Sequence, residues 1–216
     1  VKVALASLAY QSDFTESQLR SFQALCQYSN VTLWGPPGTG KSYFISTTLA
    51  HLFHAHIKAN VPFKVMINSF THAAIENVLG ATMKRIDELN LGHEIRCVKA
   101  GRWRGETKPS SLLECSNQEI QGQILDSNYA LIGSTVYGCM GSDLRACFDL
   151  VVIDEASQVK LTDATITIGT RKRGGRLLLA GDHEQLPPIT KSVWPTLDEQ
   201  PQLNKSVLEA MFVKGH

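Results

Sequence analysis

No apolar run in this 216-residue chain approaches the roughly 20 residues a membrane-spanning helix needs. No internal repeat and no low-complexity tract is present, which argues against solenoids, propellers and linker-dominated chains. Charge of either sign is scarce in excess: the net value is +1 with 19 % charged residues, so any surface that attracts nucleic acid must be local. The five cysteines, Cys26, Cys97, Cys115, Cys139 and Cys147, are odd in number, scattered and without C-x-x-C spacing. They fit buried or free thiols in a reducing, intracellular compartment, with nothing to separate nucleus from cytoplasm, and they offer no zinc site. Val1 to Tyr10 is apolar after Lys2 but lacks the architecture of a secretory signal, and the chain does not start at Met. Residues 1–13 therefore read as the tail of a preceding segment. The remainder, 14–216, suits one α/β domain with a full core and a small insertion or mobile loop at about 100–118.

What is present begins with an apolar strand, Val31 to Trp34, that feeds Gly35-Pro36-Pro37-Gly38-Thr39-Gly40-Lys41-Ser42 and then a helical pattern. The spacing G-x-x-x-x-G-K-S/T is that of a phosphate-binding loop, whose glycines let successive backbone N–H groups turn inward on an anion. The helix that follows adds its positive N-terminal end. Lys41 would reach the β- and γ-phosphates, and the Ser42 hydroxyl would complete a Mg²⁺ shell. The loop thus predicts a nucleoside triphosphate with magnesium.

Strands and helices alternate along the rest of the chain. Asp13 to Gln18 opens a helix that buries Leu19, Phe22 and Leu25, and the helix carrying Lys41 ends among His51, His54 and His56, read as a solvated last turn. Strands are expected at 63–68, 95–99, 129–133, 148–153 and 176–180, with helices to about Asn90 and over 118–126. Such alternation predicts a parallel sheet covered by helices on both faces, with the loops after the strands gathered on one edge. That edge would collect the phosphate loop, Ser69 to His72, Arg102 to Lys108, Ser134 to Gly138, Asp154 to Ser157 and Gly181 to Pro188. Arg171-Lys172-Arg173 precedes its strand and falls on the far edge as a solvated turn.

Two acids, Asp154 and Glu155, follow the dry strand 148–153, where an unpaired carboxylate is costly unless a metal or hydrogen bonds hold it. Asp154 would hold Mg²⁺, and Glu155 would orient and deprotonate the water that attacks the γ-phosphoryl group. Gln185 offers a neutral amide to the γ-phosphate or that water. Arg102-Trp103-Arg104 sets two cations beside an indole; either it is a solvent loop whose Trp103 packs back on the domain, or it meets backbone phosphates and stacks a base.

These residues resemble the first RecA-like domain of superfamily 1B helicases, the P-loop family of the nonsense-mediated-decay helicase and its relatives. The likeness runs from Ser17 to about Phe212. It rests on Ser17-Gln18 as the adenine-reading glutamine motif, GPPGTGKS as motif I, Ser69 to Val78 as motif Ia and Gly133-Ser134-Thr135 as the next strand-contacting motif. Asp154-Glu155-Ala156-Ser157 corresponds to motif II and Gly181-Asp182-His183-Glu184-Gln185-Leu186-Pro187-Pro188 to motif III. The resemblance implies ATP at Gln18, the phosphate loop, Asp154, Glu155 and Gln185. It implies single-stranded DNA or RNA across Ser69, Thr71, His72, Ser134 and Thr135, with the Arg102-Trp103-Arg104 loop beside them. Motif Ia departs from the family's usual Ser-Asn-x-Ala, reading Thr71-His72-Ala73-Ala74 here. The second RecA-like domain, which in the family supplies arginines to the γ-phosphate, has no counterpart in this sequence. Two other readings stand beside this one: an AAA-type remodelling ATPase, which shares GPPGTGKS and an acidic strand end, and a module that binds nucleotide without unwinding a strand.

Overall fold

A computed structural model describes residues 13–140, 143–182, 184, 188 and 205–213. Helix α1 (Glu16–Gln27) leads into strand β1 (Asn30–Trp34), followed by α2 (Lys41–Lys58), β2 (Phe63–Ser69), α3 (His72–Glu88), β3 (Arg96–Ala100) and β4 (Leu113–Cys115). Then come α4 (Ile120–Ile124), β5 (Tyr129–Thr135), β6 (Phe148–Ile153), α5 (Leu161–Ile168), β7 (Arg171–Gly181) and α6 (Val207–Val213). The strands make one parallel sheet in the order β1-β7-β6-β2-β5-β3-β4.

A sheet covered on both sides needs apolar side chains on both faces, and the period of two along each strand supplies them. Val65, Ile67, Leu131, Leu150, Val152 and Leu178 pack with Phe22, Phe44, Leu49 and Val78 from α1, α2 and α3. Their chain neighbours Met66, Ile132, Val151, Ile153 and Leu179 pack on the other face with Ile120, Ala164 and Leu208 from α4, α5 and α6. Each fully buried aliphatic or phenyl side chain contributes about 1.5–3 kcal/mol of transfer free energy before chain entropy is charged against it.

Three local expectations change. The basic cluster Arg171-Lys172-Arg173 is not a solvated turn but the first residues of β7, still on the far edge. There Lys172 pairs with Asp149 at 3.0 Å and Arg171 donates to Asn30 Oδ1 at 2.6 Å, across a register shift against β6. Next, β4 within the segment 100–118 and helix α5 ahead of β7 had no sequence counterpart. A three-residue strand is too short to show a period.

The third change concerns the histidines of α2. His51 is buried rather than solvated, with Nε2 2.9 Å from Asp13 Oδ2 and its ring edge-on to Phe14. His56 stacks on Phe63 with ring centroids 4.0 Å apart. Burial, opposed by the Asp13 carboxylate, pushes His51 down to about 4. The folded protein thus holds this ring neutral at pH values where an unfolded histidine takes a proton, so stability falls as pH drops from about 6.5 to 4. We expect thermal melts of the protein and of His51→Gln, compared at pH 7 and pH 4, to show the wild type losing on the order of 2–3 kcal/mol more than the variant as the pH drops. An unchanged pH profile in the variant would show that the loss arises elsewhere.

Candidate nucleotide site and strand-facing edge

The phosphate loop bridges β1 and α2. Its Gly40 sits at φ 83° as the residue before α2, a left-handed conformation that costs a β-carbon-bearing residue, and it provides no side-chain cap. The first N–H groups of an 18-residue helix are therefore left facing the loop. Thr39 Oγ1 donates to the Pro36 carbonyl at 2.8 Å, and Gly35 N–H donates to the Gly181 carbonyl at 3.2 Å, which ties the loop to the end of β7. Lys41 Nζ donates to the carbonyls of Gly35 and Pro36. The ammonium is curled over the loop's own acceptors.

Two cavities flank the loop. One, of about 290 Å³, is lined by Gln18, Ser21, Trp34, Pro36, Thr39 and Lys41 among others. Gln18 is held there by a capping box: its N–H donates to Thr15 Oγ1, and its Oε1 accepts from Thr15 N–H at 3.0 Å. With the carbonyl occupied, the amide NH₂ is what Gln18 can offer to the cavity beside Gly40. The other cavity, of about 380 Å³, brings Pro37, Gly38, Lys41 and Ser42 together with Asp154, Glu155, Gly181 and Asp182.

Asp154 is buried, with its N–H on the Asn68 carbonyl at 2.8 Å. Burial pushes its carboxyl up to about 6; the Glu155 charge adds to this, while the Glu155 N–H and Lys41 pull the other way. Glu155 adopts φ 53°, ψ 39°, a left-handed conformation costing a non-glycine residue on the order of 1–3 kcal/mol. That turn ends β6 at once and starts the short 3₁₀ segment Ala156–Gln158. Asp182, to which the sequence had assigned no role, lines the same cavity and accepts from Glu184 N–H at 3.0 Å. Its position, the first acid after a dry strand, repeats that of Asp154 and was the signal available. Trp34, half exposed at the last position of β1, was likewise missed as a wall of the first cavity. Gln185 lies outside the described residues.

Farther along the same edge, Thr71 caps α3 by accepting from Ala74 N–H at 3.2 Å, and half-buried His72 has Nδ1 3.4 Å from Lys99 Nζ. Thr135 is half-buried and its Oγ1 accepts from Gly138 N–H at 3.1 Å. Ser69 and Ser134, read as strand contacts, are fully buried at the ends of β2 and β5 and present nothing to solvent. Gly138, in the segment after β5, approaches the Ser134 hydroxyl, a contact the linear sequence does not show. Arg102 and Arg104 are exposed, whereas Trp103 packs back on the domain, its ring against Gly80 of α3. An open cleft of about 610 Å³ runs between the first turns of α3 and this loop, lined by Thr71, His72, Glu76, Trp103, Arg104 and Thr107 among others.

The family described as "AAA domain" matches residues 13–128 and 101–193. The DNA replication ATP-dependent helicase/nuclease DNA2 of Homo sapiens is 32 % identical over 163 residues, covering 72 % of this chain and 14 % of that protein. Its counterpart in Gallus gallus is 29 % identical over 198 residues, covering 88 % of this chain and 18 % of the relative. The chain thus spans less than a fifth of the length of these relatives. Among solved structures, a nuclease-deletion mutant of the Type ISP restriction-modification enzyme LlaGI in complex with a DNA substrate mimic superposes with TM-score 0.56 at 15 % identity. That superposition covers 77 % of this chain and 17 % of the other, and at such identity it speaks for the fold.

Because the Asp154 carboxyl is raised above its unfolded value, folding disfavours its charged form: the benefit of the neutral acid is complete below about pH 4 and lost as pH rises through about 6. Asp154→Asn should accordingly stabilise the nucleotide-free protein by on the order of 1–3 kcal/mol at pH 7.5 and by about half as much at pH 5. Paired thermal melts at the two pH values check this; equal effects at both would mean that the carboxylate is not strained by its burial.

Proposed function

The chain belongs to the AAA domain family, in its superfamily 1 helicase branch, and from that premise we propose that it is the ATP-binding and ATP-hydrolysing motor domain of a helicase or translocase that tracks single-stranded DNA. The observation that carries the proposal is the cavity in which Gly38, Lys41 and Ser42 face Asp154, Glu155 and Asp182. Phosphate-binding groups and acids that follow other strands meet there on one edge. The AAA label alone is shared with remodelling ATPases; relatives named as DNA replication helicase/nucleases favour the helicase reading and favour DNA over RNA.

The residues suggest the following division of work. The Gln18 amide donates to an acceptor on the adenine ring, and the α2 N-terminus with the loop N–H groups cradles the phosphates. Lys41 exchanges the Gly35 and Pro36 carbonyls for β- and γ-phosphate oxygens, a swap of neutral for charged acceptors that strengthens each hydrogen bond. Ser42 and Asp154 are the residues suited to holding Mg²⁺, which when bound neutralises charge on the β- and γ-phosphates. At neutral pH the Asp154 carboxyl, pushed up to about 6, is ionised for that task. Glu155, fixed by its left-handed backbone, takes a proton from the attacking water, and Gln185 is assigned to the γ-phosphate side by the motif in which it sits. Thr71, His72, Thr135, Arg102 and Arg104 are assigned to the strand. A second RecA-like domain, for which the much longer relatives leave room, would close the site and supply the arginine that the described residues do not bring to it.

The test is ATP hydrolysis with and without single-stranded DNA or RNA, since stimulation by the strand separates a helicase motor from a remodelling ATPase and from a passive nucleotide-binding module. Glu155→Gln should retain nucleotide affinity and abolish turnover, whereas Lys41→Ala should weaken binding itself; equal loss of binding in both would sink the assignment. Without a second domain, turnover should be low by roughly 10³ to 10⁵, the usual worth of an arginine at the transferring phosphoryl group.

A further inference from the structure

Lys99 lies outside every motif and Glu76, within the Ser69 to Val78 stretch, has no role assigned to it there, yet the two make the most deeply buried ion pair among the described residues. Lys99 Nζ lies 3.2 Å from Glu76 Oε1, with the two side chains 0 % and 6 % exposed. Burying two charges costs several kcal/mol per ion, so such a pair is weak evidence for stability and better evidence that something else is being fixed. What it touches is the backbone of the Arg102–Arg104 loop. Lys99 Nζ donates to the Arg102 carbonyl, and Glu76 Oε1 accepts from Arg104 N–H at 3.0 Å. From the other side, Glu114 Oε1 on β4 accepts from Trp103 N–H at 2.6 Å.

Three consecutive residues of an irregular loop therefore have backbone groups caught by charged side chains from β3, α3 and β4. The Trp103 ring closes the arrangement from below, so close to α3 that a β-carbon at Gly80 would sit 3.4 Å from it. With the backbone held this way, the Arg102 and Arg104 side chains are exposed and make no ion pair among the described residues. Arg104 lines the cleft that separates the loop from the first turns of α3.

We propose that Lys99 and Glu76 are positioning residues that hold the Arg102–Arg104 loop in one shape, so that both guanidinium groups are presented to the phosphates of a bound single strand without first paying to order the loop. Trp103 is then an anchor for the loop and not a stacking platform for a base. The purpose assigned here rests on the strand-binding function proposed above, whereas the anchoring itself does not.

The test uses a charge-free replacement, because removing one partner alone would leave the other charge buried and unpaired. Glu76→Leu with Lys99→Met keeps the volume and removes the ion pair, both contacts to the loop backbone and the Lys99 Nζ–His72 Nδ1 contact, and His72→Ala measured alongside reports the share of any affinity loss that comes through His72. The double variant should melt within a few degrees of the wild type and bind nucleotide normally. Amide hydrogen exchange at Arg102 to Gly105, measured without nucleic acid, should lose its protection. Affinity for a labelled single-stranded oligonucleotide should fall by about 10- to 30-fold at 0.1 M salt, and the log–log salt slope should shrink by about 1.4, as for two lost phosphate contacts. Glu76→Gln with Lys99→Met, which restores an acceptor for Arg104 N–H, should recover part of both. Unchanged protection overturns the anchor. Lost protection with unchanged affinity and slope overturns its purpose. A wild type that shows no salt-dependent strand binding overturns the strand-binding reading, and the purpose with it, while the exchange data still report on the anchor.

Discussion

The parallel pairing of β1, β7 and β6 is the constraint on which the rest of the molecule depends. Trp34 of β1 is level with Gly181 of β7, and Leu179 of β7 with Ile153 of β6, so the three strands end almost in line. Neighbouring strands are spaced about 4.8 Å apart, which sets the phosphate loop about 10 Å from the acid pair, with the Gly181-Asp182 turn between them. The Gly35 N–H to Gly181 carbonyl bond then locks the loop to this frame. A hydrophobic sandwich of no chemical character thus determines which polar groups meet.

Polar groups gathered this way sit where burial works against them. Asp154 is a carboxyl pushed up to about 6, and Glu155 occupies a backbone conformation that a glycine would hold more easily. Lys99 and Glu76 are charges taken out of water, and His51 is a ring kept neutral by its surroundings. None is what stability alone would select, and three of the four cases lie on the edge where the strand ends gather. The cost is met by two continuous apolar layers, one on each face of the sheet.

Much of this could be read in the linear chain. The strand–glycine loop–helix succession around Lys41 specified its own conformation, because only glycine tolerates the backbone angle at Gly40 and only an uncapped helix start leaves donors for an anion. The apolar run Leu150 to Ile153 before Asp154 named a strand buried on both faces, and the alternation of elements named a parallel sheet with its loops on one edge. Period, spacing and turn chemistry are local properties, and local properties survive in a one-dimensional record.

Tertiary structure decided what depends on neighbours distant in sequence. Burial of Ser69 and Ser134, retraction of Trp103 onto Gly80 and entry of Arg171 into β7 all turn on which segment covers which. Glu76 and Lys99 are 23 positions apart in sequence, and their carbonyl and amide partners lie on a loop with no period of its own. Asp182 became a cavity wall only because β7 inserts between β1 and β6. The sequence determined the chemistry available at each strand end; the order of strands in the sheet, fixed by packing rather than by any residue's own preference, determined which of those ends share a site.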